Sequence, residues 1–352
     1  MDESDAFLPA GEQDRLLAEL AGLEALDAAP ELAARLRHFL FAMAGRGLDG
    51  QAMTRLVSAC NDRLSQRLII LVSRKHRLPS VDWCWLAMGS EGRYEQTFVT
   101  DQDNGLVFNA SDGREADALR ELFLPFAREV NQRLADCGFA LCSGQIMAGN
   151  PDWCLSFDEW RERFIDWVRR PEPTALLNAT IFFDLRPLFG QQSLAERLRT
   201  LILALTTDTP VFQHLLAANA LQAGVPLNFR GVLAADEEGG LDLKKSGSRI
   251  FVDAARILAL ATGVAAVNTG ERLRLAGREA GMTPGEIAAA EAAFSHVLRL
   301  RLAQQLRDRS GDEVISQGFK PSALHEVDSA ILLESLRQAR RLQQRLKLNY
   351  AL

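Results

Sequence analysis

Residues 83–108 constrain this chain more than any other stretch. The apolar run Trp83-Cys84-Trp85-Leu86-Ala87-Met88 stops at Gly89-Ser90. A charged loop follows through Glu91-Gly92-Arg93-Tyr94-Glu95-Gln96, and Asp101-Gln102-Asp103-Asn104 then leads into Gly105-Leu106-Val107-Phe108. Short runs rich in aromatic and branched apolar residues, bounded by turn residues, read as buried strands. The stretch thus predicts a strand, a small-residue turn, a loop, and a second strand opened by two carboxylates. Residues i and i+2 of a strand share a face, so Asp101 and Asp103 are expected to project together, with Gln102 on the other side. Mg2+ favours carboxylate and phosphate oxygens. A turn with Gly89 and Ser90 offers backbone N–H groups and a hydroxyl to phosphate oxygens, because glycine lets the backbone come close. Arg93 adds a fixed positive charge beside that turn.

The flanking sequence divides into three parts. Residues 1–78 read as a helical segment: Leu16, Leu17, Leu20, Leu23 and Leu26, then Met53, Leu56, Val57, Cys60, Leu64 and Leu68, recur at helical spacing. Arg74-Lys75-His76-Arg77 suits a helix C-terminus, and Pro79 stops it. This segment is expected to be a small packed bundle, or else a regulatory or dimerisation segment. Residues 79–190 form a mixed α/β part. In it a helix follows Asp112 as far as Gly138, a third short strand falls at 139–142, and a helix capped at Ser156 carries Trp160, Phe164 and Trp167 inward. Periodicity leaves 174–183 open between helix and strand. Residues 191–352 read as helical at 194–206, 211–222, 250–261, 284–308 and 322–348. A small hairpin is expected between 231–233 and 241–245, around the acidic turn Asp236-Glu237-Glu238-Gly239-Gly240.

Charge and cysteine usage narrow the function classes. A net charge of -6 argues against general nucleic-acid binding, which needs a basic face. The five cysteines, Cys60, Cys84, Cys137, Cys142 and Cys154, form no CxxC pair, and the five histidines are scattered, so a zinc site is not expected. The acidic start Met-Asp-Glu-Ser-Asp has no apolar core of signal-peptide length, and no uncharged run is long enough to span a bilayer. The expectation is a cytoplasmic protein with no membrane partner and with reduced, buried thiols.

Alone, Asp-x-Asp is most often a solvated turn, and Gly-Ser is most often only a turn. Here Gly-Ser follows one buried strand, Asp-x-Asp opens another, and eleven positions separate Ser90 from Asp101. That combination resembles the signature of the polymerase-β nucleotidyltransferase superfamily. In detail, Gly89-Ser90-Glu91-Gly92-Arg93-Tyr94-Glu95-Gln96 with Thr100-Asp101-Gln102-Asp103-Asn104 resembles the bacterial signal-transduction nucleotidyltransferases. These are related to the PII-uridylyltransferases and the glutamine-synthetase adenylyltransferases. Phe182-Phe183-Asp184-Leu185-Arg186-Pro187-Leu188-Phe189-Gly190, and Leu243-Lys244-Lys245 followed by Ile250-Phe251-Val252-Asp253-Ala254-Ala255-Arg256, extend the likeness from about residue 50 to the end. The CBS or cyclic-nucleotide-binding modules usual upstream in that family are not seen.

The resemblance implies an α+β fold. A small mixed-sheet, polymerase-β-like domain would be flanked by N-terminal helices and a C-terminal all-helical substrate-binding domain. It implies transfer of an NMP group from an NTP to an acceptor hydroxyl, a side chain on a regulatory protein in preference to a small molecule. Asp101 and Asp103 would hold Mg2+ (Mn2+ is the alternative), and Gly89, Ser90 and Arg93 would contact the phosphates. Asp184 is the candidate third, catalytic carboxylate, weighed equally against a helix-borne acid paired with Arg186; Asp152 and Asp158 rank below it. Lys244 and Lys245, with Arg249 nearby and Asn228 and Arg230 preceding, read either as a solvated charge run or as contacts to the triphosphate or an acidic acceptor. His296 and His325 read as packing or surface residues, and 337–347 as the wet face of a helix. The competing class is a catalytically inactive nucleotide-sensing domain of the same fold. A homodimer is compatible with either.

Overall fold

Four short strands make one mixed sheet in the order β3-β2-β1-β4: β1 is Trp83–Ala87, β2 Asn104–Phe108, β3 Cys154–Ser156 and β4 Arg186–Gly190. The structure is a computed structural model, and it describes residues 11–234, 239–309 and 319–352. β1 runs antiparallel to β2, from Trp83 opposite Phe108 to Ala87 opposite Asn104. β4 is antiparallel to β1, with an irregularity at Trp85/Leu86. β3 is parallel to β2, so the mixed character comes from one edge strand. All five β2 residues are buried, as a near-continuous apolar strand requires.

The chain divides into two compact units. The first comprises residues 1–48, 53–163 and 181–199. It holds the sheet, α1 (Glu12–Ala21), α2 (Ala29–Ala44), α3 (Gly50–Ser73) apart from its first turn, α4 (Gly89–Gly92) and α5 (Gly113–Asp136). It also takes the start of α6 (Phe157–Arg169) and of α8 (Gln192–Thr207). Asp112 starts α5 by accepting the Glu115 N–H at 2.8 Å, and Glu115 reaches back to the Ser111 N–H at 2.6 Å; each thereby satisfies a donor the helix leaves unpaired. α5 lays Phe123 and Phe126 on the sheet. Phe123 stacks on Phe108 with ring centroids 5.2 Å apart, and Phe126 meets Trp83 edge-on at 5.5 Å. Trp160 of α6 is wholly buried and donates its indole N–H to the Leu106 carbonyl at 3.1 Å. The sheet is thus clamped while the ends of β1 and β2 that carry the Gly-Ser turn and the acids stay together.

The second unit comprises residues 49–52, 164–180 and 200–352. Its helices are α7 (Pro173–Phe182), α9 (Pro210–Ala220), α10 (Arg249–Thr262), α11 (Thr269–Glu279), α12 (Pro284–Arg309) and α13 (Glu326–Tyr350), with the ends of α6 and α8. Every residue of α10 from Ile250 to Leu260 is buried. That includes Asp253 and Arg256, which neutralise one another at 2.6 Å.

The expected α+β class holds, with corrections in detail. The 174–183 segment is helical, as α7. Residues 139–142 do not form a strand; Ala140 alone makes a parallel bridge, to Asp101. The hairpin between 231–233 and 241–245 does not form: Leu233 pairs with Leu227, and Leu241 pairs with Phe319. Leu227, Leu241, Leu243 and Phe319 instead join Leu300, Leu332 and Leu336 in one apolar cluster. Asp236-Glu237-Glu238 of the acidic turn lie outside the described residues. All five cysteines are free, buried thiols. Among the described residues no single helix is long and apolar enough to cross a membrane.

Candidate active site

The strand β1 ends by handing its next residue to the acid-bearing segment: the Met88 N–H donates to the Asp103 carbonyl at 2.9 Å. The chain then turns at Gly89, whose φ is +54°. A Cβ built there would lie 2.5 Å from Asp103 Oδ2. Glycine is required twice over, by the left-handed backbone and by the carboxylate packed against its Cα. The Gly-Ser turn is the single helical turn α4, closed by the Gly92 N–H on the Met88 carbonyl at 2.8 Å. At its far end a Cβ on Gly92 would fall 2.1 Å from the Asp184 carbonyl oxygen. The turn is wedged between the two acid-bearing segments, with Ser90 half-buried on it.

Asp101 and Asp103 precede β2 rather than lying within it, since β2 begins at Asn104. Gln102 stands between them. That side chain is 1% exposed and donates to the carbonyls of Asn131 at 3.0 Å and Phe139 at 3.1 Å. Asn131 returns a donation to Gln102 Oε1 at 2.8 Å and another to Asn104 Oδ1 at 3.0 Å. Asn104 Oδ1 also accepts the Ala148 N–H at 2.8 Å, and Asn131 Oδ1 accepts that of Gly149 at 2.9 Å. With Gln102 and Asn104 anchored inward, Asp101 is exposed and Asp103 half-exposed.

Two guanidinium groups, Arg186 buried and Arg93 partly buried, brace the segment after the turn. Arg93 donates to Asp184 Oδ2 at 2.6 Å and to Glu95 Oε2 at 2.8 Å. Asp184 is wholly buried and stands between α7 and β4, on neither helix nor strand. Its ion-pair partner is Arg93 rather than Arg186. Arg186 donates from Nη2 to Asp62 Oδ1 at 2.7 Å and to the Glu91 carbonyl at 3.0 Å. Its guanidinium also lies over the Tyr94 ring, 3.9 Å from the centroid. Tyr94 has φ +59°, a conformation bulky residues seldom adopt; the ring stacking helps hold it there.

Glu91 is the most perturbed acid of this region. Burial, reinforced by the negative charge of Asp62 and opposed by Arg186, pushes its carboxyl up to about 8; Asp103 adds to the rise. Burial also raises Asp62, while Arg186 pulls it back. The turn therefore carries a carboxyl that keeps its proton near neutral pH.

The sequence-predicted residues fall into two sets. The fold of the first unit brings together Gly89, Ser90, Arg93, Asp101, Asp103 and Asp184. Lys244 and Lys245 lie in the second unit, on a π-helical turn whose backbone N–H groups are both held by Asp242 Oδ1 at 2.9 Å. Asp152 and Asp158 are exposed, and Asp158 pairs with Arg161 at 3.2 Å. Glu91, Asp62 and the Gln102–Asn131–Asn104 network were not singled out by sequence. Glu91 lies inside the motif, so its place beside Ser90 was the available signal; Asp62 and Asn131 are brought in from remote helices and gave none. Among the described residues no three His, Cys, Asp or Glu groups cluster as a metal site. Two oxygen-bearing carboxylates beside a glycine cradle nevertheless suit Mg2+, which binds through one or two carboxylates and takes substrate phosphates and water for the rest.

Two family profiles match the chain. One is described as "Putative nucleotidyltransferase DUF294" and matches residues 34–174. The other is described as "Putative nucleotidyltransferase substrate binding domain" and matches residues 210–350. No curated protein matches the chain.

Proposed function

Since the chain belongs to the DUF294 nucleotidyltransferase family, we propose that it moves an NMP group from an NTP to an acceptor hydroxyl, with pyrophosphate leaving. The observation that carries this reading is the contact of Gly89 with Asp103. It puts the backbone of a phosphate cradle against a half-exposed carboxylate, so that the triphosphate and a divalent cation would be held at one place.

In this reading Asp101 and Asp103 hold Mg2+ or Mn2+ together with triphosphate oxygens. The bound cation would offset charge on the leaving pyrophosphate. Gly89 and Ser90 bind the phosphates through backbone N–H groups and a hydroxyl. Gln102 keeps both acids aimed outward, which fixes the reacting groups before substrate arrives. Asp184 was the candidate for taking the acceptor's proton. Its complete burial and its pairing with Arg93 support a different part: with Glu95 it holds the Arg93 guanidinium beside the cradle. Lys244 and Lys245 are proposed to contact the triphosphate or the acceptor. That unit carries the match to a substrate-binding domain, and the acceptor proposed for it is a side chain of a regulatory protein in the cytoplasm.

The test is incubation with each labelled NTP and Mg2+, with and without cell lysate, followed by mass spectrometry and measurement of pyrophosphate. Transfer to a protein, lost in the Asp101→Asn, Asp103→Asn double variant, is the expected result. Mg2+-dependent binding with no pyrophosphate release in lysate would move the assignment to a nucleotide sensor. Binding unchanged in the double variant would place the site elsewhere.

A further inference from the structure

The last helix, α13, carries two rows of side chains. Leu332, Leu336, Leu342 and Leu346 are buried in the core of the second unit. Beside them runs a row of Val327, Ile331, Glu334, Gln338, Arg341, Arg345 and Leu348, at alternating steps of four and three. Steps of that kind average 3.5 residues, the repeat by which one helix face pairs with another helix. Val327 is 61% exposed, Ile331 42% and Leu348 83%. Exposed apolar side chains scattered singly are ordinary; three on one such row are a pattern. The N-terminal half of the row lies along an open groove of about 650 Å3 between α12 and α13, lined by Ala289, Ala292, Ala293 and Ala330. Small side chains there let a further helix approach closely. Charge is divided along the same row. Glu334 stands in the N-terminal half, and Arg341 and Arg345 in the C-terminal half. Gln338 between them donates to Glu334 Oε1 at 2.7 Å, which holds that carboxylate over the groove. Within the chain Glu334 meets Arg337 at 3.5 Å and Arg341 at 3.7 Å, exposed pairs of little energetic weight. Arg345 is held by Glu286 at 3.0 Å.

We propose that this row is the contact between two copies of the chain, their α13 helices antiparallel about a two-fold axis near Gln338. The order of charges selects both the occupant and its direction. Laid antiparallel, the acidic half of each row faces the basic half of the other, Glu334 towards Arg341, and Val327 and Ile331 come close to Leu348 at both ends. Laid parallel, Glu334 would face Glu334 and Arg341 would face Arg341, which is repulsive. A two-fold contact uses one surface twice, so a row complementary to its own reverse fits a second copy. Val327 and Leu348 are 21 positions apart, a length of about 32 Å along a helix and enough for three heptads. A strip of that size stands at the lower end of specific interfaces, roughly 1,200 Å2 in all. The dimer is therefore expected to be reversible, with a dissociation constant on the order of micromolar. The polar residues in the middle of the row cost stability but fix which direction the helices take.

The experiment is sedimentation velocity of the full chain over a series of micromolar concentrations, with thermal unfolding recorded in parallel. Wild type is expected to shift with concentration from the 38.9 kDa of one chain to twice that mass. Glu334→Arg makes the row basic and Arg341→Glu makes it acidic. Both side chains are exposed, so each variant is expected to keep its fold, while its own dissociation constant rises about a hundredfold. Mixed in equal amounts, the two variants are expected to form a dimer again, because each basic row then meets an acidic one. A fault in folding would not be repaired by mixing. Ile331→Gln, which trims the apolar end without adding charge, is expected to weaken the dimer about tenfold and serves if a charge variant does not fold. Three results each overturn the proposal. Wild type could sediment as a single chain at every concentration, which would leave the row to another protein or to solvent. A dimer could persist in all three variants, which would put the contact on another surface. The mixture of Glu334→Arg with Arg341→Glu could stay monomeric, which would mean that the two rows do not face one another.

Discussion

A methyl group at position 89 has nowhere to go. The new Cβ would sit 2.5 Å from Asp103 Oδ2 on a backbone with φ +54°. The left-handed conformation alone costs a non-glycine residue roughly 1–2 kcal/mol. Relief of the clash must come from Asp103, whose side chain supplies the three nearest atoms. Gly89→Ala is therefore expected to lower the melting temperature modestly and to abolish Mn2+ binding. Loss of stability with unchanged metal affinity would separate the cradle from the acid. Glu91, two residues on, gives a pH prediction. An unfolded glutamate titrates near 4.5, whereas burial holds the folded carboxyl near 8. The folded protein therefore keeps a proton that the unfolded chain has lost. The stability this contributes is complete below about 4.5 and is lost as pH rises towards about 8. Glu91→Gln, neutral at every pH, is expected to flatten that slope and to be the more stable protein above pH 8, by an amount on the order of a few kcal/mol. Melting temperatures from pH 5 to 9 check this; parallel curves for the two proteins would count against a protonated Glu91.

At the scale of elements, the aim of the two acids is set by a helix remote in sequence. Asn131 on α5 joins Gln102, Asn104 and the backbone of Gly149 through three of its hydrogen bonds, all inside the unit. Removing its amide leaves buried partners unsatisfied, at about 1–3 kcal/mol each where no water replaces them. Asn131→Leu is expected to destabilise the protein by several kcal/mol. Amide exchange should also rise at Ala148 and Gly149, whose N–H groups donate to Asn104 and Asn131. Protection of those amides equal to wild type would mean the loop is held by other contacts. Phe123→Ala on the same helix serves as the contrast. It removes a ring stacked on Phe108 and should cost about 3–5 kcal/mol, yet leave the relative exchange of Ala148 and Gly149 unchanged. The pair of variants distinguishes a helix that only covers the sheet from one that also orients the acids.

Across the whole molecule, what could be read from sequence was local in sequence. The strand–turn–acid order of residues 83–108, the cap at Asp112 and the long amphipathic helices each rest on neighbours within a few positions. What could not be read depends on distant partners. Asp184 finds Arg93 91 positions away, and Arg186 finds Asp62 124 away. Leu241 pairs with Phe319 and so forms no hairpin with Leu233. The segment that becomes α7 is apolar on every side, so periodicity had nothing to separate. Lys244 and Lys245 belong with these non-local questions, because their use depends on what the second unit binds. Lys245 is largely exposed and 3.8 Å from Asp242, a surface pair of little energetic weight, so Lys244→Ala with Lys245→Ala should leave the melting temperature nearly unchanged. If both lysines meet the triphosphate, the double variant loses about tenfold or more in affinity for inorganic triphosphate, and the salt dependence of the remaining binding becomes shallower. If they meet an acidic acceptor, triphosphate affinity stays at the wild-type value and transfer to the acceptor falls through a raised KM. Wild-type values for both would leave them as surface charges. Calorimetry with triphosphate, followed by transfer kinetics at two ionic strengths, decides among these outcomes on a protein whose fold the substitutions leave intact.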